Sequence, residues 1–166
     1  FYYMLKDEHG VLWLSTGDSG LARLENGKMN SLNDEIGLPR RIILDIEMTP
    51  EGQLLICSSA GFFHFDPTVG TVVKDAAGGM PQSYDARCCA MTPDGRIYLY
   101  TSEGAFCLFD GRATDISYHS NLGYGFTRMV LDQSGAPWAS TNGSGMVRIV
   151  QNGFTIVSTP DKYIQV

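Results

Sequence analysis

One outline occurs four times along the chain. Asp7-Glu8-His9-Gly10-Val11-Leu12-Trp13-Leu14-Ser15-Thr16, followed by Gly20-Leu21-Ala22-Arg23-Leu24, reads as a turn, a strand, a second turn and another strand. The same outline returns from Thr49 to Phe65, from Thr92 to Phe109 and from Asp132 to Ile149. Its turn glycines are Gly10, Gly52, Gly95 and Gly135, separated by 42, 43 and 40 residues. A repeat of this length built only from strand signals is the mark of a β-propeller blade. The expected fold is therefore all-β, with four blades of four antiparallel strands each. The repeats are placed at about 1–40, 41–83, 84–123 and 124–166.

Within each repeat the four strands follow from local physics. Ile42 to Met48 is nearly continuous in apolar residues, which marks a strand with both faces buried, as an innermost strand is. Pro50-Glu51-Gly52 makes a tight turn, with proline fixing φ and glycine relieving the backbone. Inner strands are expected at Phe1 to Lys6, Arg41 to Met48, Ala86 to Met91 and Phe126 to Leu131. Second strands are expected at Val11 to Ser15, Gln53 to Cys57, Arg96 to Tyr100 and Ala136 to Ser140. Third strands start after Gly20, Gly61, Gly104 and Gly145. Outer strands are the weakest, at Lys28 to Leu32, Thr71 to Lys74, Thr114 to Tyr118 and Phe154 to Val157. Asn33-Asp34-Glu35-Ile36 has room for one helical turn, which Gly37 and Pro39 would stop. Trp13, Leu55, Tyr98 and Trp138 share one repeat position, where large side chains fill the wedge between splayed blades.

Composition excludes several classes of function. The 166 residues carry 12 basic against 18 acidic side chains, a net charge of −6 without a basic stripe, which argues against a nucleic-acid binder. No apolar run reaches 18 residues, so no helical membrane span is expected. The first residues have neither a basic segment nor a long apolar core and do not form a signal peptide. They begin inside a strand, so the chain reads as a piece of a longer protein.

The residues also carry a resemblance. Asp7-x-x-Gly10-x-Leu12-Trp13-x-x-Thr16 with Gly20-Leu21, and Asp132-x-x-Gly135-x-x-Trp138-x-x-Thr141 with Gly145-Met146, closely resemble the two-component-regulator propeller repeat. Gly37-Leu38-Pro39 and Gly79-Met80-Pro81 are similar to that family's Gly-Leu-Pro element before an inner strand. The two middle copies depart from it, with Thr-Pro for the leading acid and Leu55 or Tyr98 for tryptophan. The resemblance covers essentially the whole chain. It implies a non-enzymatic, periplasmic, ligand-sensing module of a bacterial signalling protein, often responsive to carbohydrate breakdown products. A histidine kinase or diguanylate cyclase output would lie outside this chain. A protein-interaction scaffold and a propeller enzyme such as a lyase or lactonase are the alternative functions.

No catalytic or metal constellation stands out. His9, His64 and His119 lack a second ligand at metal-binding spacing, and no cofactor is expected. Cys57, Cys88, Cys89 and Cys107 form no C-x-x-C; Cys88 and Cys89 should point to opposite faces. The cysteines are buried small hydrophobes or, across blades, an oxidised pair. Asn142-Gly143-Ser144 matches a glycosylation acceptor and, more simply, a hairpin turn. Glu8, Glu51 and Asp94 read as solvated turn formers. The candidate ligand site is the end of the propeller where the second-to-third strand loops and the blade crossings meet. There Arg41, Tyr84 and Tyr124 occupy equivalent positions, with Asp18 and Glu103 on the same face. Two tyrosines and an arginine suit a sugar or a carboxylate; they also suit a cap over the channel. Four blades fall short of a closed ring of this repeat type. The chain is then part of a longer propeller, or it self-associates, and the isolated chain is expected to be a homo-oligomer.

Overall fold

The computed structural model describes residues 3–16, 20–39, 41–117, 125–142 and 145–150, and the backbone of 153–157. Four antiparallel sheets of four strands follow one another along the chain. The first is β1 (Met4–Lys6), β2 (Leu12–Ser15), β3 (Leu21–Glu25) and β4 (Lys28–Ser31). The second is β5 (Ile43–Met48), β6 (Leu54–Ser58), β7 (Gly61–Asp66) and β8 (Thr71–Lys74). The third is β9 (Ala86–Met91), β10 (Ile97–Thr101), β11 (Gly104–Phe109) and β12 (Arg112–Asp115). The fourth is β13 (Phe126–Leu131), β14 (Pro137–Thr141), β15 (Met146–Val150) and β16 (Gly153–Val157). Strand order equals chain order in every sheet, which is the up-and-down meander of a propeller blade. A single-turn helix, α1 (Asn33–Ile36), follows the first blade and stops at Gly37, whose φ of 72° is the left-handed cap that glycine accepts.

The first turn of each blade is held by its leading side chain. Asp7 Oδ1 accepts the N–H groups of His9 (3.0 Å) and Val11 (2.9 Å), and its Oδ2 accepts the indole N–H of Trp13 at 3.0 Å. Asp132 repeats this with Ser134 N–H (2.8 Å), Ala136 N–H (3.1 Å) and Trp138 (2.8 Å). In the middle blades threonine leads: Thr49 Oγ1 accepts Gln53 N–H at 3.2 Å, and Thr92 Oγ1 lies 3.0 Å from Arg96 O. One hydroxyl oxygen cannot serve both the turn and an indole. The position six residues on is accordingly tryptophan where aspartate leads, and Leu55 or Tyr98 where threonine leads.

Three apolar layers lie between consecutive blades. Trp13 and Leu21 pack on Ile46, Leu54, Ile56, Phe63 and Phe65, with the Trp13 and Phe65 rings edge to face at 5.9 Å. Leu55, Cys57 and Phe62 pack on Cys89, Leu99, Phe106 and Leu108. Tyr98 and Ala105 pack on Met129, Ala139, Val147 and Ile149. Cys88 and Cys89 fall in different layers, on opposite faces of β9. All four thiols are free; Cys57 and Cys89 pack in the layer between blades two and three, and burial pushes the Cys57 thiol well up.

Three expectations need correction. β12 starts at Arg112, two residues before the expected Thr114, because Asp110 (φ 50°) and Gly111 (φ 70°) form a two-residue hairpin turn directly after Phe109. Asp-Gly is the preferred pair where both φ are positive, and the sequence carries it in plain view. β5 starts at Ile43, two residues after the expected Arg41, which stays outside the sheet and is exposed. Trp138 is not fully buried: it is partly exposed and belongs to none of the three layers, whereas Trp13 is 2% exposed.

Candidate ligand site at the mouth of the central channel

The inner strands β1, β5, β9 and β13 neighbour one another in turn around the propeller axis. At one end of blades two, three and four the β-hairpin loop is tied to the residue that precedes the inner strand. Ser59 N–H donates to Ile42 O (3.0 Å), Ser102 N–H to Asp85 O (2.9 Å) and Asn142 N–H to Gly125 O (3.1 Å). Ser102 Oγ in turn accepts Asp85 N–H at 3.1 Å. These ties fix the backbone of the mouth without using the side chains that face it. Gly125 is required there by space: a Cβ would come within 2.5 Å of the Tyr100 hydroxyl.

A cavity of about 500 Å³ opens at this end. Tyr3, Phe126 and Leu44 form its apolar lining, and Asp85, Arg87, Ser59 and Thr127 its polar groups, with Ile42 completing the wall. Tyr3 crosses from the first blade to the fourth, donating its hydroxyl to Thr127 O at 3.3 Å. The Arg128 guanidinium lies over the Tyr3 ring, 5.0 Å from its centroid. The Phe126 ring is held by Tyr100 at 4.9 Å. Arg87 is exposed in a strand whose other residues are mostly buried, and Asp85 is half-buried.

One residue beyond Leu44, the side chain of Asp45 is buried. Its Oδ1 accepts Ile46 N–H (3.0 Å) and its Oδ2 accepts Cys89 N–H across to the next blade (3.2 Å). Burial raises its pKa to about 7, against the two N–H donors and Arg128, and Glu47 adds to the rise. Glu47 is also raised by burial, with Arg128 opposing. Burial thus holds two neighbouring carboxyls above their usual range, against the positive charge of Arg128, so Asp45 gains or loses its charge near neutral pH. With Phe126 buried in the wall, the Tyr3 ring, one acceptor carboxylate, one guanidinium and two hydroxyls form a mix suited to a small polyhydroxylated or anionic molecule.

The sequence-derived candidates divide. Arg41 and Glu103 lie at the same end of the blades, beside Ile42 and Ser102, and both are exposed, but neither lines the cavity. Tyr84 is only 6% exposed and packs with Leu55, Phe62 and Leu99 between blades two and three. Burial, with Asp75 adding, pushes its hydroxyl up to about 12. Side chains alternate along the backbone, so it is the next residue, Asp85, that faces the mouth. Asp18 and Tyr124 lie outside the described residues. Sequence reasoning missed Tyr3, Asp85, Arg87 and Phe126. The available signal was Arg87 itself, a lone cation inside Ala86-Arg87-Cys88-Cys89-Ala90, a strand otherwise made of buried small residues.

Among the described residues no group of three His, Cys, Asp or Glu side chains is arranged to hold a metal ion, and no helix is long and apolar enough to cross a membrane. No family model and no curated protein sequence matches the chain. Solved structures do. The extracellular domain of the hybrid two-component system BT4673 from B. thetaiotaomicron superposes with a TM-score of 0.75 at 18% identity, covering 98% of this chain and 22% of that one. The corresponding domain of BT3049 from the same organism gives 0.70 at 19% identity, over 88% and 21%. Virginiamycin B lyase from Staphylococcus aureus gives 0.77 at 14% identity, over 96% and 55%. The chain thus spans about a fifth of the two signalling domains and about half of the lyase. What these likenesses establish is the architecture, four consecutive blades of a β-propeller.

Proposed function

We propose that the chain is a ligand-sensing propeller segment of an extracellular or periplasmic signalling protein of the two-component-regulator propeller type, with its output domain elsewhere in the polypeptide. The observation that carries this reading is the cavity at the channel mouth. Tyr3 lies at its wall with the buried Phe126, and Asp85 and Arg87, two residues apart at the start of β9, supply an acceptor and a bidentate donor. The ligand class is a small carbohydrate or sugar acid. The Asp-x-x-Gly-x-x-Trp turns and the structural likeness to two extracellular sensor domains support the same reading. The segment itself acts by binding. The likeness to a lyase supports a second reading, catalysis at the same mouth, which would require an acid–base pair. Among the described lining residues Asp85 is the sole carboxylate and no histidine is present.

A thermal-shift screen of neutral and acidic oligosaccharides tests the proposal. A ligand at 100 times its Kd stabilises the fold by about 2.7 kcal/mol. A shift with a sugar that is recovered unchanged supports sensing, and a sugar that is consumed supports catalysis. No shift with any member leaves an interaction scaffold as the better reading.

A further inference from the structure

The inner strands of blades two, three and four carry the same irregularity at the same step. In β5 the pairing with β6 runs from Ile43 opposite Ser58 to Asp45 opposite Cys57 and skips Leu44. In β9 the pairing with β10 runs from Ala86 opposite Thr101 to Cys88 opposite Tyr100 and skips Arg87. In β13 the pairing with β14 runs from Phe126 opposite Thr141 to Arg128 opposite Ser140 and skips Thr127. Each skipped residue lies eight positions before its turn glycine, Gly52, Gly95 or Gly135. An extra residue left unpaired on one strand is a β-bulge, which bends the strand and re-aims a side chain.

The packing shows the effect. Strict alternation puts residues three apart on opposite faces of a strand. Ile43 and Ile46 instead pack in one layer, as do Ala86 and Cys89, and Phe126 and Met129. The bulge therefore holds two residues at one ladder step and leaves the first of them outside the layers between blades. All three of these first residues, Leu44, Arg87 and Thr127, line the cavity at the channel mouth. Three blades thus use one backbone device to deliver one side chain each to the same space: an apolar group, a cation and a hydroxyl. Thr127 Oγ1 lies 2.7 Å from Ser140 Oγ, on the partner strand of its own blade. The device is set by the pairing of the first two strands within each blade, so it does not depend on what covers the outer blades.

We infer that the bulged step is the position at which each blade sets what the mouth binds, so that Leu44, Arg87 and Thr127 are the specificity-determining residues of the site. Arg87 selects for negative charge, Thr127 for a hydrogen-bonding group, and Leu44 for an apolar edge. The inference rests on the reading of the mouth as a ligand site and adds which residues choose the ligand. It has a consequence of its own. The three steps are equivalent, so a cation moved from one bulge to another keeps its aim into the cavity.

Calorimetric titration with inorganic sulfate, a small dianion without a preferred orientation, tests this on the wild type, Leu44→Arg, Arg87→Leu, the double variant Leu44→Arg/Arg87→Leu, and Glu103→Gln. Arg87 is exposed and Leu44 half-buried, both outside the interior layers, so the fold is expected intact and an unchanged far-ultraviolet circular dichroism spectrum verifies it. Leu44→Arg places two guanidinium groups in the cavity and is expected to bind sulfate at least about tenfold tighter than the wild type. Arg87→Leu is expected to bind at least about tenfold weaker, and the double variant within about threefold of the wild type. Glu103→Gln makes the same change of one charge at the same end but outside the cavity, and is expected to shift affinity by less than about threefold. A Leu44→Arg variant no tighter than the wild type overturns the inference. So does a double variant as weak as Arg87→Leu, or a Glu103→Gln gain equal to that of Leu44→Arg. Where the wild type binds sulfate too weakly to measure, Leu44→Arg must still bind it measurably, and its failure to do so overturns the inference too. Failure of the ligand reading shows separately, as a wild type whose melting temperature shifts with no sugar.

Discussion

Asp45→Asn is the substitution whose consequence can be worked out most fully. The carboxyl titrates at about 7 in the folded protein, against 3.8 for an unperturbed aspartate. Its folded pKa is raised, so in the folded state it keeps its proton over a range in which the unfolded chain has lost it. Below pH 4 both states are protonated and the group has no effect on stability. Between pH 4 and 7 the folded state binds more protons, so stability falls as pH rises. Above 7 both states are ionised and the cost of a buried charge is constant. At 1.36 kcal/mol per pH unit the full cost is about 4 kcal/mol. Asparagine cannot ionise and is nearly isosteric, but its amide replaces one of two acceptors. Either Ile46 N–H or Cys89 N–H then loses its partner, at about 1–3 kcal/mol. The variant should therefore be less stable than wild type at pH 4.5 and equal or superior at pH 8, with the curves crossing between. Urea unfolding at fixed protein concentration, from pH 4.5 to 8, measures this. Glu47 contributes a slope of the same sign in both proteins, so only the part that arises from its coupling to Asp45 remains in the difference. A wild-type-minus-variant difference that does not change with pH would refute the argument.

Three further outcomes are expected. Asp7→Ala leaves the buried Trp13 indole without an acceptor and should lower stability by about 1–3 kcal/mol in urea, whereas Asp132→Ala, whose Trp138 partner meets water, should cost less. Gly20→Ala combines a φ of 77° with a Cβ 1.8 Å from Asn33 Nδ2, the side chain that accepts Leu21 N–H at 2.7 Å; a loss of at least about 1–2 kcal/mol should appear as a lower urea midpoint, and a change within about 0.5 kcal/mol would count against the packing described. Gly125→Ala pushes on Tyr100, and through it on Phe126, so ligand affinity at the mouth should drop tenfold or more while Tm moves by only a few degrees.

Much of the fold is readable from the chain because its determinants are local. The turn glycines Gly10, Gly52, Gly95 and Gly135 and the leading Asp or Thr fix where each first hairpin turns. Alternation then fixes which residues face the neighbouring blade. The start of the outer strand β12 depends on Asp110-Gly111 acting as a hairpin turn, with positive φ at both positions, which a count from the other outer strands does not capture. Tyr84 packs between blades two and three while Asp85 lines the cavity, for a related reason. Tyr84 and Asp85 are neighbours on a segment leading into a strand, and the phase of alternation there is set by how Ser102 ties to Asp85, a contact 17 residues away in sequence. The register shifts between Ile43 and Asp45 and between Tyr100 and Thr101 change the count again. The aspartate–indole bond was also not anticipated. It needs the six-residue separation to be folded into a turn before the two side chains meet.

Titration calorimetry at the channel mouth tests the central claim most directly. A sugar acid found by the thermal-shift screen is titrated into wild type, Arg87→Ala and Arg41→Ala. Arg87 lines the cavity and Arg41, at the same end of the blades, does not. The account predicts that Arg87→Ala weakens binding at least tenfold, with thermal stability close to wild type, while Arg41→Ala changes affinity by less than about threefold, roughly 0.6 kcal/mol. Equal affinity for wild type and Arg87→Ala, or a larger loss in Arg41→Ala, would contradict it.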